Sequence, residues 1–401
     1  MNILFLSELF YPHGSGGELA TYLWAELLAE SGFNVKIVTN KFFNEPEASR
    51  YGNMTIYRIP LLKSYDSVKY SIIGRFNVLF SNFIRKLLVW ADVIYIPRFW
   101  YMAIPVTKAY KKPVIVHLHG YIPTCPLATR YDLSKNEICR RNSCNPKCII
   151  AHEKAHSRTA LETLGSSLLN FAVWPYIRRL VILSDAVICV SNAQKNMIMA
   201  HMPSLARKCY VIYNPLPEVA QLEINSKDMG YFGGLSPLKG FHVLYQALKH
   251  VYSRITIHAT GFYLTNKRSI RPSTNTKIVF YERLQKEHYQ KVLDQVSTVL
   301  VPSVWLEPSP YIVCEALLTR RLVIASEIGG IPELVEGCPG VFLVPPGDAK
   351  SLAEAIDYVN SLDKQTICEL SYMNRTNFLK KFSNEKSLQE FIQVLERLEI
   401  G

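Results

Sequence analysis

The stretch PSVWLEPSPYIVCEALLTRRLVIASEIGGIPELVEG, residues 302–337, decides how this sequence reads. It leaves the carboxyl end of a short apolar run, STVLVPS, and enters a proline-rich loop that holds Glu307. YIVCEALL follows with helical composition and carries Glu315, with seven residues between the two glutamates. LVIAS is a second apolar run, and Gly-Gly-Ile-Pro-Glu closes it with a turn. Strand, loop, helix, strand and turn in that order make a parallel βα unit, whose ligands collect in the loops after the strands. Near the helix start, the backbone N–H groups of Tyr311 and Ile312 can point at an anionic group. Pro310 has no N–H, but its fixed φ suits a first helical position.

The same rhythm runs outward in both directions. Upstream, ILFLSELF (residues 3–10), VKIVTN, ADVIYI, PVIVHLHG and SDAVICVS are short apolar runs separated by helical or turn-rich segments. KCYVIYNPLPEVAQ breaks that pattern with two prolines and reads as a linker. After it MGYFGG, ITIHATG, KIVFYERL, STVLVPS, LVIAS and GVFLV resume it. At 401 residues the chain is longer than one hydrophobic core usually organises. The expectation is α/β architecture: two Rossmann-like parallel-sheet domains over residues 1–215 and 216–380, facing a cleft. KSLQEFIQVLERLEI places Leu388, Phe391, Val394, Leu395 and Leu398 on one helical face that must dock somewhere.

The ordered string from Glu307 through Glu315 to GGIPE resembles the signature of family 4 of the retaining glycosyltransferases. That resemblance implies the GT-B fold, with residues 381–401 forming a helix that crosses back onto the N-terminal domain. It also implies transfer of a hexose-type sugar from a nucleotide-diphosphate donor to a lipid-linked or glycan hydroxyl, with no cofactor required. By resemblance Glu315 holds the donor ribose, Glu307 contacts hydroxyls of the donor sugar, and the phosphate sits between them beside Ser309, Tyr311 and Ile312. YFGGLSPLKG, residues 231–240, resembles the family turn in which an Arg and a Lys neutralise the departing pyrophosphate. Lys239 matches that lysine, while Gly234 stands where the commoner pattern has arginine. Arg283 is a substitute base, or Gly233 and Gly234 add backbone amides at closer range. Gly16 and Gly17 in YPHGSGGELATY open a helix after the first strand and match a family glycine pair beside the donor. His119, at the end of PVIVHLH, corresponds to a family histidine that faces the donor sugar, with His117 deeper on the same strand face. His119, Lys239 and Glu307 are thus the catalytic candidates, and Gly16, Gly17, Gly233, Gly234, Ser309, Tyr311, Ile312 and Glu315 the donor-binding ones.

Composition narrows the partners. Position 19 is leucine, so the dinucleotide fingerprint G-x-G-x-x-G is not met and an NAD site is disfavoured. The net charge of +12 is lopsided: residues 1–200 carry 23 Lys+Arg against 13 Asp+Glu, and the rest 22 against 20. A basic first half points to an anionic partner, either a membrane surface or a lipid pyrophosphate, or else to composition bias. Nucleic acid is set aside because no recognition motif accompanies the charge. GRFNVLFSNFIRKLLVW, residues 74–90, mixes Arg75, Arg85 and Lys86 with apolar residues at helical spacing. It reads as a core helix of the Rossmann layer or as a helix lying on the membrane. The first strand has no basic lead-in and reads as core, not as a signal peptide, which implies a cytoplasmic and at most peripheral protein.

Cys125, Cys139, Cys144 and Cys148 sit in an insertion, residues 121–150, with no helical or strand period. They would form a structural four-thiolate zinc or iron–sulfur site, stay as free thiols, or pair as disulfides. Two other readings stay open: an epimerase or phosphorylase on the same fold, and a non-catalytic sugar-nucleotide-binding protein suggested by Gly234.

Overall fold

The computed structural model describes residues 1–42, 44–61, 76–156, 159–260, 269–282 and 286–399. The chain divides into two compact units, Met1–Leu216 with Ser383–Gly401, and Pro217–Phe382.

The first unit is built on an eight-stranded sheet. Its strands are β1 (Asn2–Leu6), β2 (Asn34–Asn40), β3 (Ala48–Tyr51), β4 (Met54–Ile59), β5 (Val93–Ile96) and β6 (Val114–Leu118). A small hairpin of β7 (Tyr131–Asp132) and β8 (Glu137–Ile138) lies in the cysteine-bearing insertion, and β9 (Ala186–Cys189) and β10 (Cys209–Val211) complete the main sheet. The order is β10-β9-β6-β5-β1-β2-β4-β3, parallel throughout except for the β3–β4 edge pair. Residues 3–6 and all of β5, β6 and β9 are buried, which is why these runs are almost wholly apolar in the centre of a sheet covered on both faces, with His117 on β6 the exception. The expected linker begins later than its composition suggests, because Cys209–Val211 pairs with β9 as an edge strand.

The helix Asn384–Glu399 belongs to this first unit. Phe391, Val394 and Leu395 are buried in its core, and Leu388 and Leu398 pack against them. The Phe391 ring lies 5.1 Å from that of Trp24, on the helix Gly16–Glu30, and 6.0 Å from that of Tyr95 on β5. The helix Asn82–Trp90 turns Ile84, Leu87 and Leu88 into the core. That is the core-facing reading of residues 74–90; Gly74 and Arg75 lie outside the described residues.

The second unit repeats the plan with seven strands: β11 (Met229–Tyr231), β12 (Ile255–Ala259), β13 (Ser269–Ile270), β14 (Thr276–Phe280), β15 (Thr298–Val301), β16 (Leu322–Ser326) and β17 (Val341–Val344). Their order is β13-β14-β12-β11-β15-β16-β17, with only β13 antiparallel.

Strand order fixes where each unit can bind a ligand. In the first, the chain leaves β1 toward β2 on one side and returns to β5 on the other, so the order reverses between β1 and β5. In the second it reverses between β11 and β15. Loops leaving two such neighbouring strands diverge and open a crevice at their carboxyl ends.

Candidate functional site

In the second unit the turns after β11 and β15 are stitched together at this reversal. Gly240 has φ +75°, and a Cβ there would stand 1.8 Å from the Pro302 carbonyl oxygen. The Val304 N–H donates to the Leu238 carbonyl at 2.9 Å. Only a residue without a side chain allows so close an approach in the left-handed region. The stitch carries Lys239 to Glu307: Lys239 Nζ donates to Glu307 Oε1 at 2.6 Å, and Ser303 Oγ donates to the same oxygen at 2.7 Å. Glu307 is almost fully buried, while Lys239 keeps about a third of its side-chain surface. The Lys239 ammonium also lies 5.5 Å from the centre of the Trp305 ring.

The Gly-Gly-Ile-Pro-Glu turn holds this carboxylate from the other side. Gly329 has φ +59°, and a Cβ there would stand 2.2 Å from the Glu307 carbonyl oxygen and 2.7 Å from its nitrogen. The Gly330 N–H donates to the Glu307 carbonyl at 2.7 Å. The two glycines therefore serve the backbone of Glu307, a role that spacing alone does not show. Gly233 has a similar task, since a Cβ there would lie 2.6 Å from Tyr231 Oη and 2.8 Å from Lys239 Cβ. Tyr231 Oη donates to the carbonyl of Gly234, itself at φ +64°, at 2.9 Å. Burial, then the charge of Glu307, hold the Tyr231 hydroxyl in its protonated form.

Glu315 stands in a different setting. It lies on the helix Tyr311–Leu318, partly exposed, and its Oε2 accepts a hydrogen bond from Tyr289 Oη at 2.8 Å. Burial and the Glu315 charge push the Tyr289 phenol well above its ordinary range, so it remains a donor. Phe232, just past β11, packs edge-on against Tyr289 with ring centres 5.0 Å apart. Ser309 and Ile312 are half-buried and Tyr311 is buried at the start of the same helix. The structure thus gathers Gly233, Gly234, Lys239 and Glu307 through direct contacts, with Ser309, Tyr311, Ile312 and Glu315 following on the same loop and helix. Arg283, the candidate second base, lies outside the described residues.

In the first unit the reversal between β1 and β5 holds a charged cluster that the motif reading passed over. Arg98, two residues past β5, pairs through Nε with Glu8 Oε1 at 2.7 Å and through Nη1 with Glu18. Glu8 and Glu18 are fully buried, one after β1 and the other in the first turn of the helix Gly16–Glu30. Burial pushes the Glu8 carboxyl up, and the Arg98 guanidinium opposes it. Glu18 Oε2 also accepts the Ser15 N–H at 2.7 Å, which fastens the helix start. The available signal was an ionisable residue two positions past each of two apolar strands.

Gly17 and His119 meet beside this cluster. A Cβ on Gly17 would sit 3.4 Å from His119 Cβ and 3.9 Å from Arg98 Nη1, ordinary contact distances that place the helix start directly against both residues. His119 stacks on His117 with ring centres 4.5 Å apart. Burial first, then the Arg98 charge, push the His119 imidazole down to about 3, so it is neutral near pH 7. Its Nε2 is closed off from solvent and has no partner. A neutral ring of this kind can exchange hydrogen bonds with a hydroxyl but cannot act as a proton-charged acid. His117 is deeper, bonded to the Tyr95 hydroxyl, and burial lowers it further.

The cysteine insertion departs from the four-thiolate reading. Among the described residues no group of three or more His, Cys, Asp or Glu is placed to hold a metal ion. All nine cysteines are free thiols. Burial, then the neighbouring thiols, push Cys144 up to about 12, and burial pushes Cys148 up to about 11. Cys148 Sγ donates to the Tyr131 carbonyl at 3.6 Å.

Comparison with known proteins follows this division. Residues 14–218 match the model of Glycosyltransferase Family 4, and residues 226–360 match that of Glycosyl transferases group 1. The chain belongs to glycosyltransferase family 4. An uncharacterised 42.6 kDa protein in the cps region of Klebsiella pneumoniae is 21% identical over 364 residues, covering 86% of this chain and 90% of that one. Sucrose-phosphate synthase from Thermosynechococcus elongatus superposes with a TM-score of 0.71 at 15% identity, over 100% of this chain and 99% of that one. Anabaena HepE in complex with UDP-glucose gives 0.65 at 17% identity over the full length of both. The fold is therefore GT-B, and this family 4 glycosyltransferase takes a nucleotide sugar as its donor substrate. Among its described residues no helix is long and apolar enough to cross a membrane.

Proposed function

We propose that this glycosyltransferase moves a hexose-type sugar from a nucleotide diphosphate to a hydroxyl of a lipid-linked or glycan acceptor, with retention at the anomeric carbon. The observation that carries this reading is the Lys239–Glu307 pair at the reversal between β11 and β15, followed directly by the helix that bears Glu315. In this scheme the second unit, residues 216–380 of the sequence reading, holds the donor, and the first presents the acceptor. Glu315, supported by Tyr289, accepts hydrogen bonds from the ribose diol. Lys239 and the amides at the start of the helix Tyr311–Leu318 stabilise the diphosphate as the bond from its oxygen to the anomeric carbon breaks. The acceptor oxygen bonds to that carbon on the same face, and its proton passes to the departing diphosphate. Glu307, buried beneath Lys239, orients the ammonium and meets sugar hydroxyls at its edge. His119, neutral and partly exposed just past the end of β6, meets a hydroxyl of the sugar or acceptor.

The Lys+Arg surplus of the first half supports peripheral contact with an anionic membrane on its cytoplasmic face.

The test is a thermal-shift screen of UDP-, GDP-, ADP- and dTDP-sugars on the intact chain. One class should raise the melting temperature, and Glu315→Ala should abolish that rise. Incubation with this donor and a lipid-linked acceptor should then give a product whose anomeric configuration, read by NMR, equals the donor's. If no nucleotide sugar stabilises the protein, or the product is inverted, the scheme fails.

A further inference from the structure

The helix Ala160–Leu183 is built inside out. Its inward face is polar: Thr163, Ser167 and Asn170 are buried together with Val181. Hydrogen bonds hold that face in place. Asn170 Nδ2 donates to Glu153 Oε1 at 2.9 Å, Trp174 Nε1 to the Ile122 carbonyl at 2.9 Å, and Arg178 Nη2 to the His201 carbonyl at 2.6 Å. The Thr159 side chain accepts the Glu162 N–H and fixes the amino end. The helix therefore cannot roll to hide its apolar side. That side points to solvent: Leu161, Leu164, Leu168, Phe171, Tyr176 and Leu183 are each more than half exposed. Spacings of three, four and three carry the stripe from Leu161 to Phe171. From Leu161 to Leu183 it extends about 33 Å at the rise of an α-helix. A run of this length and exposure on one face marks an interaction surface.

We propose that this stripe is where the protein lies on an anionic lipid bilayer, its leucines and Phe171 entering the boundary between headgroups and acyl chains. The proposal rests on the reading that the first unit meets a membrane, and it moves the contact from residues 74–90 to this helix. Charge selects the occupant. Residues 139–183 hold seven Lys+Arg against two Asp+Glu. Both acids are engaged, Glu153 with Asn170 and Glu162 with the Thr159 backbone. Arg140, Arg141, Lys147, Lys154 and Arg179 are exposed. The stripe thus belongs to a stretch of chain with a surplus of exposed cations, a charge that suits an anionic lipid surface. A second copy on the same stripe would bring the same basic flank against itself.

Sedimentation of the intact chain with vesicles tests this. Wild type should bind phosphatidylglycerol–phosphatidylcholine vesicles and bind pure phosphatidylcholine vesicles at least tenfold more weakly. Leu164→Ser/Leu168→Ser/Phe171→Ser should lose at least tenfold of the affinity for the anionic vesicles while keeping the donor-induced thermal shift, which reports an intact fold. The comparison variant is Arg85→Ser/Lys86→Ser, on the helix Asn82–Trp90. If it loses binding while the stripe variant keeps it, the membrane reading stands and the stripe assignment falls. If wild type binds neither vesicle, both fall. If wild type sediments as a dimer that the stripe variant dissociates, the occupant is a second copy and the proposal is overturned.

Discussion

Replacing Lys239 by methionine would remove the cation that faces a buried carboxylate and keep most of the side chain's bulk. Glu307 would retain one donor, Ser303 Oγ at 2.7 Å, and would lose the 2.6 Å bond from the ammonium. Only 3% of its side-chain surface reaches solvent, so water does not replace the lost partner. Breaking a buried ion pair by removing one member costs about 3–5 kcal/mol. Lys239 is itself 36% exposed, which lowers the expected loss below that range, to about 2–3 kcal/mol. For a unit of this size that lowers the melting temperature by roughly 5–10 °C. The control is Lys239→Met/Glu307→Gln, in which the neutral amide no longer needs a cation and at least half of the loss should return. Urea unfolding of the donor-free chain, followed by circular dichroism, measures all three proteins. A single variant within about 0.5 kcal/mol of wild type would refute the reasoning, and so would a double variant no more stable than the single.

Gly329→Ala should cost more than the about 1 kcal/mol of an ordinary strained glycine position, because its Cβ would overlap the Glu307 backbone; a melting temperature equal to wild type would remove Gly329 from the site's support. Tyr289→Phe deletes one hydrogen bond to a carboxylate and should lower unfolding stability by about 1.5 kcal/mol, measured in urea. Acid lability follows from His119. Its folded pKa of about 3 lies below the ordinary 6.5, so the unfolded chain binds the extra proton and stability falls as pH drops through that window. Near pH 5 the loss from this one group is about 2 kcal/mol, and His119→Asn should flatten the stability–pH curve by that amount. An unchanged curve would contradict the neutral ring.

Much of the site was legible because it is written in short range. The βα alternation, the seven-residue gap between Glu307 and Glu315, the GGIPE turn and the apolar face of Leu388, Phe391, Val394, Leu395 and Leu398 are local patterns. The glutamate string and the turn were legible through the family resemblance. The alternation and that apolar face are set by strand and helical periods, and a period reports which side of an element is buried. It does not report against what. The sequence placed Glu307 and Glu315 one way, as two donor contacts. The fold separates them into a buried carboxylate gripped by Lys239, Ser303 and the glycine turn, and a partly exposed one braced by Tyr289.

The tertiary structure alone decided which loops meet. Lys239 and Glu307 are 68 residues apart, and Arg98 is 90 residues from Glu8 and 80 from Glu18. These groups become neighbours because the strand order reverses at β1/β5 and at β11/β15, a consequence of crossover direction that no local spacing carries. The inverted helix Ala160–Leu183 has the same origin. Its sequence shows apolar and polar residues in helical register, and either face could have been the inner one. Hydrogen bonds to Glu153, Ile122 and His201 chose the polar face, because buried polar groups must find partners and those partners come from distant parts of the chain.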